Sequence, residues 1–272
     1  HPGYPTEQLI SEHHLLASAH FIPVTTDAPG SAFSRRLPQA VVDQSINRAL
    51  HGIPIDLIID FEPGGMRTTL LTWRLARRRK VVSVGIAQFP LRSLFYTYAA
   101  PSVPRFCQRK QLGLSVEMDY TDKDFVALAA LGIDRLDNNI NLRVSADGRL
   151  WQQAHMPDGN GVFAVTLNIG CGTSGALPKR PAIKELVVAM VALYRKRAFR
   201  LHLSGAGFEA EVNAEFEIDF SASLAEHGLS CEVMDWSGQC SLSQLTGLLD
   251  ASNLVISSDS GPYHMAVALG VP

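Results

Sequence analysis

Near the end of the chain, Ser257-Ser258-Asp259-Ser260-Gly261 runs directly into Pro262-Tyr263-His264. Hydroxyls, a carboxylate, a glycine and an imidazole so close together could hold an anion and the hydroxyl groups attached to it. Leu254-Val255-Ile256 precedes this run and reads as a buried strand. Pro262 suits the first turn of a helix, where its missing N–H costs nothing, and Met265, Ala266, Ala268 and Leu269 continue with helical spacing. Such a strand, turn and helix presents free N–H groups and a partial positive charge at the helix start. Ser260 and Gly261 sit where backbone amides can reach a phosphate. Asp259 would repel phosphate, so its tasks there are to accept hydrogen bonds from sugar hydroxyls or to cap the helix. From the residues alone, a small-ligand site and an ordinary capped helix are both open.

Two more loops follow apolar runs and carry polar chemistry. Gly170-Cys171-Gly172-Thr173-Ser174-Gly175 has the G-x-G-x-x-G spacing that cradles a dinucleotide pyrophosphate after a strand. Pro178 and Pro181 delay the helix that should receive the phosphates, and Ser204-Gly205 stands where an acid should end the next strand. An NAD(P)-dependent oxidoreductase therefore rests on three glycines only, Gly170, Gly172 and Gly175, and a nucleotide-binding module without catalysis is a third reading. The other loop, Ser204-Gly205-Ala206-Gly207-Phe208-Glu209, ends in a carboxylate suited to accept hydrogen bonds or to enrich a helix start. Ser260, Asp259 and His264 are not a hydrolase triad, since no G-x-S-x-G elbow surrounds Ser260.

Asp259-Ser260-Gly261-Pro262-Tyr263-His264-Met265-Ala266-Val267-Ala268-Leu269-Gly270-Val271-Pro272 resembles the Asp-Ser/Thr-Gly-x-x-His-x-x-Ala-Ala-Leu-x-x-Pro signature of glycosyltransferase family 9, the ADP-heptose:lipopolysaccharide heptosyltransferases. The resemblance implies two Rossmann-like domains facing a cleft, the GT-B arrangement, and inverting transfer of a sugar from a nucleotide diphosphate to a saccharide. It assigns Thr173, Ser174 and Lys179 to the phosphates, although Lys179-Arg180-Pro181 lacks the aromatic of the family's Lys-Arg-Trp-Pro. It gives Glu209 the ribose hydroxyls, with Glu211 the competitor if the register slips, and puts Cys240 against the adenine, largely through backbone. Asp259, Ser260, Gly261 and His264 then complete the donor site, with Lys179, Asp259 and His264 as the catalytic set. The implied partners are a nucleotide-diphosphate sugar and a saccharide or lipid-linked acceptor. No metal and no cofactor beyond the donor substrate is expected. The family's base is an Asp after the first strand; nothing in residues 1 to 60 fits that pattern, with Asp27 and Asp60 the nearest acids.

The elements that must position these loops alternate. Ile55 to Phe61 reads as a nearly all-apolar strand, Met66 to Arg78 as a helix and Val81 to Val84 as the next strand. A strand from Ala19 to Thr25 and a helix from Leu37 to Leu50 come before them. Residues 98 to 121 read as loop, Thr121 to Leu131 as a helix, and 134 to 160 as a linker with the domain boundary near 150. The alternation resumes with strands at Val162 to Ile169, Phe199 to Leu203, Ser230 to Met234 and Leu254 to Ile256, and helices at Ala182 to Arg197, Glu209 to His227 and Leu242 to Ala251. This is an α/β pattern with parallel sheets. The resemblance implies an acceptor-side domain over residues 1–150 and a nucleotide-sugar-binding domain over 151–272, each expected to be incomplete, because both ends read as cut.

Composition bounds the rest. With 46% apolar and 18% charged residues the chain is globular, and a formal charge of −2 gives no general attraction to nucleic acid. The longest apolar runs are too short to span a bilayer. Four cysteines without C-x-x-C spacing suit a reducing, cytoplasmic setting. Arg74, Arg77, Arg78, Arg79 and Lys80 have two readings: a solvated helix end, or a basic patch for an anionic acceptor or the inner-membrane surface. Asp122 and Asp124 read as helix-start acids rather than metal ligands.

Overall fold

The computed structural model describes residues 38–62, 65–102, 122–133, 142–156, 161–170 and 180–272, with Leu16, Ser18 and the antiparallel pair Thr25–Thr26 (β1) and Arg35–Arg36 (β2). The chain divides into two compact units, Ile22–Asn138 and Asn139–Pro272, with Leu16 and Ser18 grouped with the latter. Each unit is built on a parallel sheet, the α/β class expected from the sequence.

In the first unit the helix Gln39–Ala49 (α1) leads to the strand Leu57–Asp60 (β3), the helix Met66–Arg79 (α2) and the strand Val82–Ala87 (β4). A 3-10 turn at Arg92–Phe95, a strand Tyr98–Pro101 (β5) and the helix Asp122–Ala129 (α3) follow. The sheet order is β3-β4-β5, all parallel. β5 lies where a loop was expected. Two alanines and a closing proline give it little strand character, and proline is accepted there because β5 is the outer strand of the described sheet. Ile86, Ala100, Val126 and Ala127 form the buried core between the sheet and α3.

A charged network closes the carboxyl end of this sheet. Asp60, at the end of β3, is buried, and its Oδ2 accepts the Tyr96 hydroxyl at 2.6 Å and the Arg92 guanidinium at 3.4 Å. Its Oδ1 accepts the Glu62 N–H at 3.0 Å. Arg92 is only 1% exposed; its Nε donates to Thr69 Oγ1 at 2.7 Å and its Nη2 to the Glu62 carbonyl. The basic run at the end of α2 is partly spent within the protein. Arg74 pairs with Asp43, Arg77 lies over the Trp73 ring, and Arg79 donates to the Leu50 carbonyl.

The second unit starts with the helix Ala146–His155 (α4) and continues strand by helix: Ala164–Asn168 (β6), Ile183–Lys196 (α5), Arg200–Ser204 (β7), Ala210–Ala225 (α6), Val233–Asp235 (β8), Leu242–Asp250 (α7), Leu254–Ser257 (β9) and Gly261–Leu269 (α8). The strand order is β8-β7-β6-β9, all parallel. Alternation along the strands feeds two faces. Val165, Leu167, Leu201 and Leu203 pack under α5 and α6 with Met190, Val191, Phe216 and Phe220. On the other face Ala164 joins Trp151, Met156 and Leu248 from α4 and α7.

α4 explains why the units divide at Asn138/Asn139 rather than near 150. Gly148 and Gly247 meet where α4 crosses α7: a Cβ on Gly148 would lie 2.5 Å from the Ser243 carbonyl, and one on Gly247 2.3 Å from the Gly148 carbonyl. Trp151 is buried by this close approach, and Leu142 N–H donates to the Ala268 carbonyl at 3.2 Å. Residues 142–156 therefore belong to the second core. Among the described residues no helix is long and apolar enough to cross a membrane.

Candidate functional site

The chain passes from β6 outward through β7 to β8 and then returns to place β9 on the other side of β6. Strand order reverses between β6 and β9, and in open parallel sheets ligands bind beyond the carboxyl ends of the strands at that reversal. The loops after β6, β7 and β9 all start from this end. Asn168 is in register with Ser204 on one side and Ser257 on the other, so a row of small polar residues crosses the sheet where the loops begin.

The turn after β9 is tied down by its own hydroxyls. Ser257 Oγ lies 3.0 Å from Ser260 Oγ, and Ser258 Oγ donates to the Gly170 carbonyl at 3.1 Å, which joins this turn to the loop after β6. Ser260 is the N-cap of α8, yet its side chain makes no capping bond; Pro262 stands in the first turn, as expected. Among the described residues, a side chain at Gly261 would meet no atom within 4 Å. His264 Nε2 is 3.4 Å from Asp259 Oδ1, with both side chains 67% exposed. Asp259 thus turns to His264 and solvent.

Glu209 sits at the end of a 3-10 turn, Gly207–Glu209, that opens α6, and it is buried. Its Oε2 accepts the Ala206 N–H at 2.7 Å, which holds the loop after β7. A Cβ on Gly170 would fall 1.9 Å from its Oε1, so the carboxylate lies directly against the end of β6. Glu211, two residues on, is exposed. The structure brings Glu209 to the same strand ends as Ser260 and Gly261, and leaves Glu211 out.

Cys240 is a half-buried free thiol packed on the Trp151 and Leu248 cluster, and burial pushes it up to about 11. Its sulfur packs against that core. Nearby, Trp236 Nε1–H donates to Nδ1 of buried His202 at 3.1 Å. Burial, with Arg200 beside it, holds His202 down at about 4, so the ring is neutral. Thr173, Ser174, Lys179, Gly172 and Asp27 lie outside the described residues, as do the side chains of Asp122 and Asp124. Sequence reasoning missed Asn168 and the buried Arg92. Asn168 closes an apolar strand, and only the polar residues at the ends of the neighbouring strands could have pointed to it.

The glycosyltransferase family 9 (heptosyltransferase) model matches residues 219–272, the segment that holds Cys240, Asp259, Ser260, Gly261 and His264. None of the curated proteins matches the chain. Among solved structures the chain is similar to a glycosyl transferase family 9 protein from Veillonella parvula, at TM-score 0.61 and 17% identity over 86% of this chain and 60% of that one. It is also similar to the E. coli ADP-heptose LPS heptosyltransferase II, at TM-score 0.55 and 15% identity over 86% of this chain and 65% of that one. A third is E. coli heptosyltransferase WaaC, solved with ADP-2-deoxy-2-fluoro heptose, at TM-score 0.55 and 20% identity over 85% of this chain and 64% of that one. At such identities the likeness is one of fold, and the chain spans under two thirds of each relative's length.

Proposed function

We propose that this chain belongs to a glycosyltransferase that moves a sugar, heptose by resemblance, from an ADP-heptose-like donor to a saccharide of lipopolysaccharide type, with the second unit binding the nucleotide sugar. The observation that carries this reading is the convergence at one reversal of strand order: the uncapped start of α8, the buried Glu209 carboxylate and the Asp259–His264 pair all lie at the carboxyl ends of β6, β7 and β9. A diphosphate suits the helix start by charge, and a ribose suits an acceptor-only carboxylate. The family model's match to residues 219–272 supports the same segment.

In this mechanism a general base takes the proton of the acceptor hydroxyl as its oxygen attacks the anomeric carbon and the C–O bond to the diphosphate breaks, with inversion. The Gly261 and Tyr263 N–H groups, His264 and Lys179 stabilise the charge growing on the leaving phosphate, which is worth most in a site already arranged for it. Asp259 orients His264 or accepts a sugar hydroxyl. No metal is assigned a role. The acceptor is lipid-linked, and the enzyme works in the cytoplasm at the inner membrane, with the basic end of α2 as the contact. Calorimetry with ADP and with NAD tests the binding half: ADP is expected to bind, and binding of NAD without ADP would return the chain to the oxidoreductase reading. For transfer, release of ADP from ADP-heptose in the presence of a lipopolysaccharide-core acceptor is the measurement, and Lys179→Ala is expected to slow it by about 1.5–3 kcal/mol of lost phosphate contact. Unchanged turnover in that variant removes Lys179 from the site.

A further inference from the structure

Asn168 is the last residue of the central strand β6, is 5% exposed, and reaches both neighbouring strands with one amide. Its Nδ2 donates to Ser204 Oγ and to the Ser204 carbonyl, each at 3.2 Å. Its Oδ1 accepts the hydroxyls of Ser257 and Ser260, each at 3.4 Å. Asparagine alone among side chains of this size donates at one end and accepts at the other in a fixed plane.

What Asn168 does is visible in a contrast within the unit. Three of its helices start on a serine. Ser145 accepts the Gly148 N–H at 3.1 Å and Ser241 accepts the Gln244 N–H at 3.2 Å, the usual capping bond. Both have φ near −66° (−66° and −67°). Ser260 has φ −149° and makes no capping bond. Its hydroxyl instead faces back into the sheet end, 3.0 Å from Ser257 Oγ, 3.2 Å from the Ser258 carbonyl and 3.4 Å from Asn168 Oδ1. Pro262 has no N–H to offer. The first intrahelical bond is His264 N–H to the Ser260 carbonyl. Gly261 and Tyr263 keep the remaining first-turn N–H groups, and neither donates to a described residue.

We propose that Asn168 is a positioning residue for the diphosphate: with Ser257 it holds the Ser260 hydroxyl off the start of α8, so that the Tyr263 N–H, which that hydroxyl would otherwise cap, stays available to a phosphate oxygen beside the Gly261 N–H. This rests on the nucleotide-binding reading of the crevice. The other end of the amide fixes Ser204, which opens the loop carrying Glu209, so a single side chain sets the spacing between the phosphate-binding turn and the ribose-binding loop. Without Asn168 the Ser260 hydroxyl is freer to cap α8 and competes with the ligand for the Tyr263 N–H.

The test is calorimetry on the whole 272-residue chain, with ADP and with adenosine. Asn168→Ala is expected to weaken ADP about five-fold, the value of an ordinary serine cap, and to leave adenosine within about two-fold. In a Ser260→Ala background the same Asn168→Ala change is expected to lose its effect on ADP, since the competing hydroxyl is gone. Equal weakening of ADP and adenosine would show a general structural role and overturn the proposal, as would an undiminished effect in the Ser260→Ala background or no loss of ADP affinity at all. A wild-type chain that binds neither ligand would overturn the nucleotide reading itself, and the proposal with it. Should Asn168→Ala fail to fold, Ser257→Ala carries the test: it removes the 3.0 Å tether and is expected to lower ADP affinity relative to adenosine, and an unchanged ratio overturns the proposal.

Discussion

At the carboxyl end of β3 the first unit buries a carboxylate, a guanidinium and two hydroxyls, those of Asp60, Arg92, Tyr96 and Thr69. At the carboxyl ends of β6, β7 and β9 the second unit gathers neutral groups, Asn168, Ser204, Ser257 and Ser260, around one buried carboxylate held by a backbone N–H. The first arrangement is closed. Arg92 spends its donors on Asp60, Thr69 and the Glu62 carbonyl, and charge meets charge inside the protein. In the second arrangement hydroxyls satisfy one another along the row, and the polar ends of helix α8 are left to face outward. A network that contains its own counter-ions fixes structure, whereas a row of neutral hydroxyls and an amide beside a helix start suits a polar ligand.

The strongest way to break this contrast is to take a charge out of the first network. Arg92→Met leaves Asp60 buried beside Tyr96 without its cation, and is expected to cost about 3–5 kcal/mol in urea unfolding. A loss under about 1 kcal/mol would mean that the charges are not what closes this sheet end. Next comes acid. The unfolded chain takes up a proton on His202 near pH 6.5 and the folded second unit only near 4, so the unfolded state binds more protons in between. Stability from this residue is full above about 6.5 and falls as the pH drops toward 4, by at most about 1.4 kcal/mol per pH unit. His202→Gln, which keeps an acceptor for Trp236, is expected to flatten that limb of a pH series of unfolding curves. The first unit behaves oppositely: burial and the bond to Asp60 push Tyr96 up to about 12, so it loses stability as pH rises past 10.

Smaller effects sharpen the ligand side of the contrast. Glu209→Gln keeps size and an acceptor for the Ala206 N–H but removes the charge, and is expected to weaken ADP binding by about 1.5–3 kcal/mol while changing stability less. The smallest expected effect belongs to Glu211→Gln, an exposed surface change that stays within about 0.5 kcal/mol in both measurements. If Glu211→Gln proves the more damaging for binding, the site is built one register away from the one described.

Much of the second unit was legible in the sequence. Its strands are continuous apolar runs and its turns carry glycine and serine, so β6, β7, β8 and β9 fall within a few residues of their expected places. The segment from Leu254 to Leu269 folds as read, strand, turn and helix with proline in the first turn. Two elements were hidden for tertiary reasons. α4 contains Ala-Asp-Gly-Arg, which looks like a linker until Gly148 is seen to be what lets α4 touch α7. β5 is short, alanine-rich and closed by proline, and becomes a strand only because β4 offers it an edge. In the site, Ser260, Gly261 and Glu209 were found by residue type and loop position. Asn168 was not, since an amide ending an apolar strand has no periodicity to betray it. The burial of Arg92 could not be read from its type, since arginine is seldom fully buried unless paired, and its partners are brought together only by the fold.

β6 is an interior strand of its sheet, and the partner on one side of it, β9, is 89 residues further along the chain. During synthesis β6, β7 and β8 can pair while Val165 and Leu167 still show an unpaired backbone edge. That edge is flanked by apolar side chains and is a template for pairing with any other strand nearby. It closes only when Leu254–Ser257 has been made, so this unit commits to its final topology late, through contacts of long sequence separation that form slowly. The residues that shut the edge are those that lead into the candidate site. A nascent chain stalled before Leu254 would lack the site and would also carry the surface most prone to aggregate.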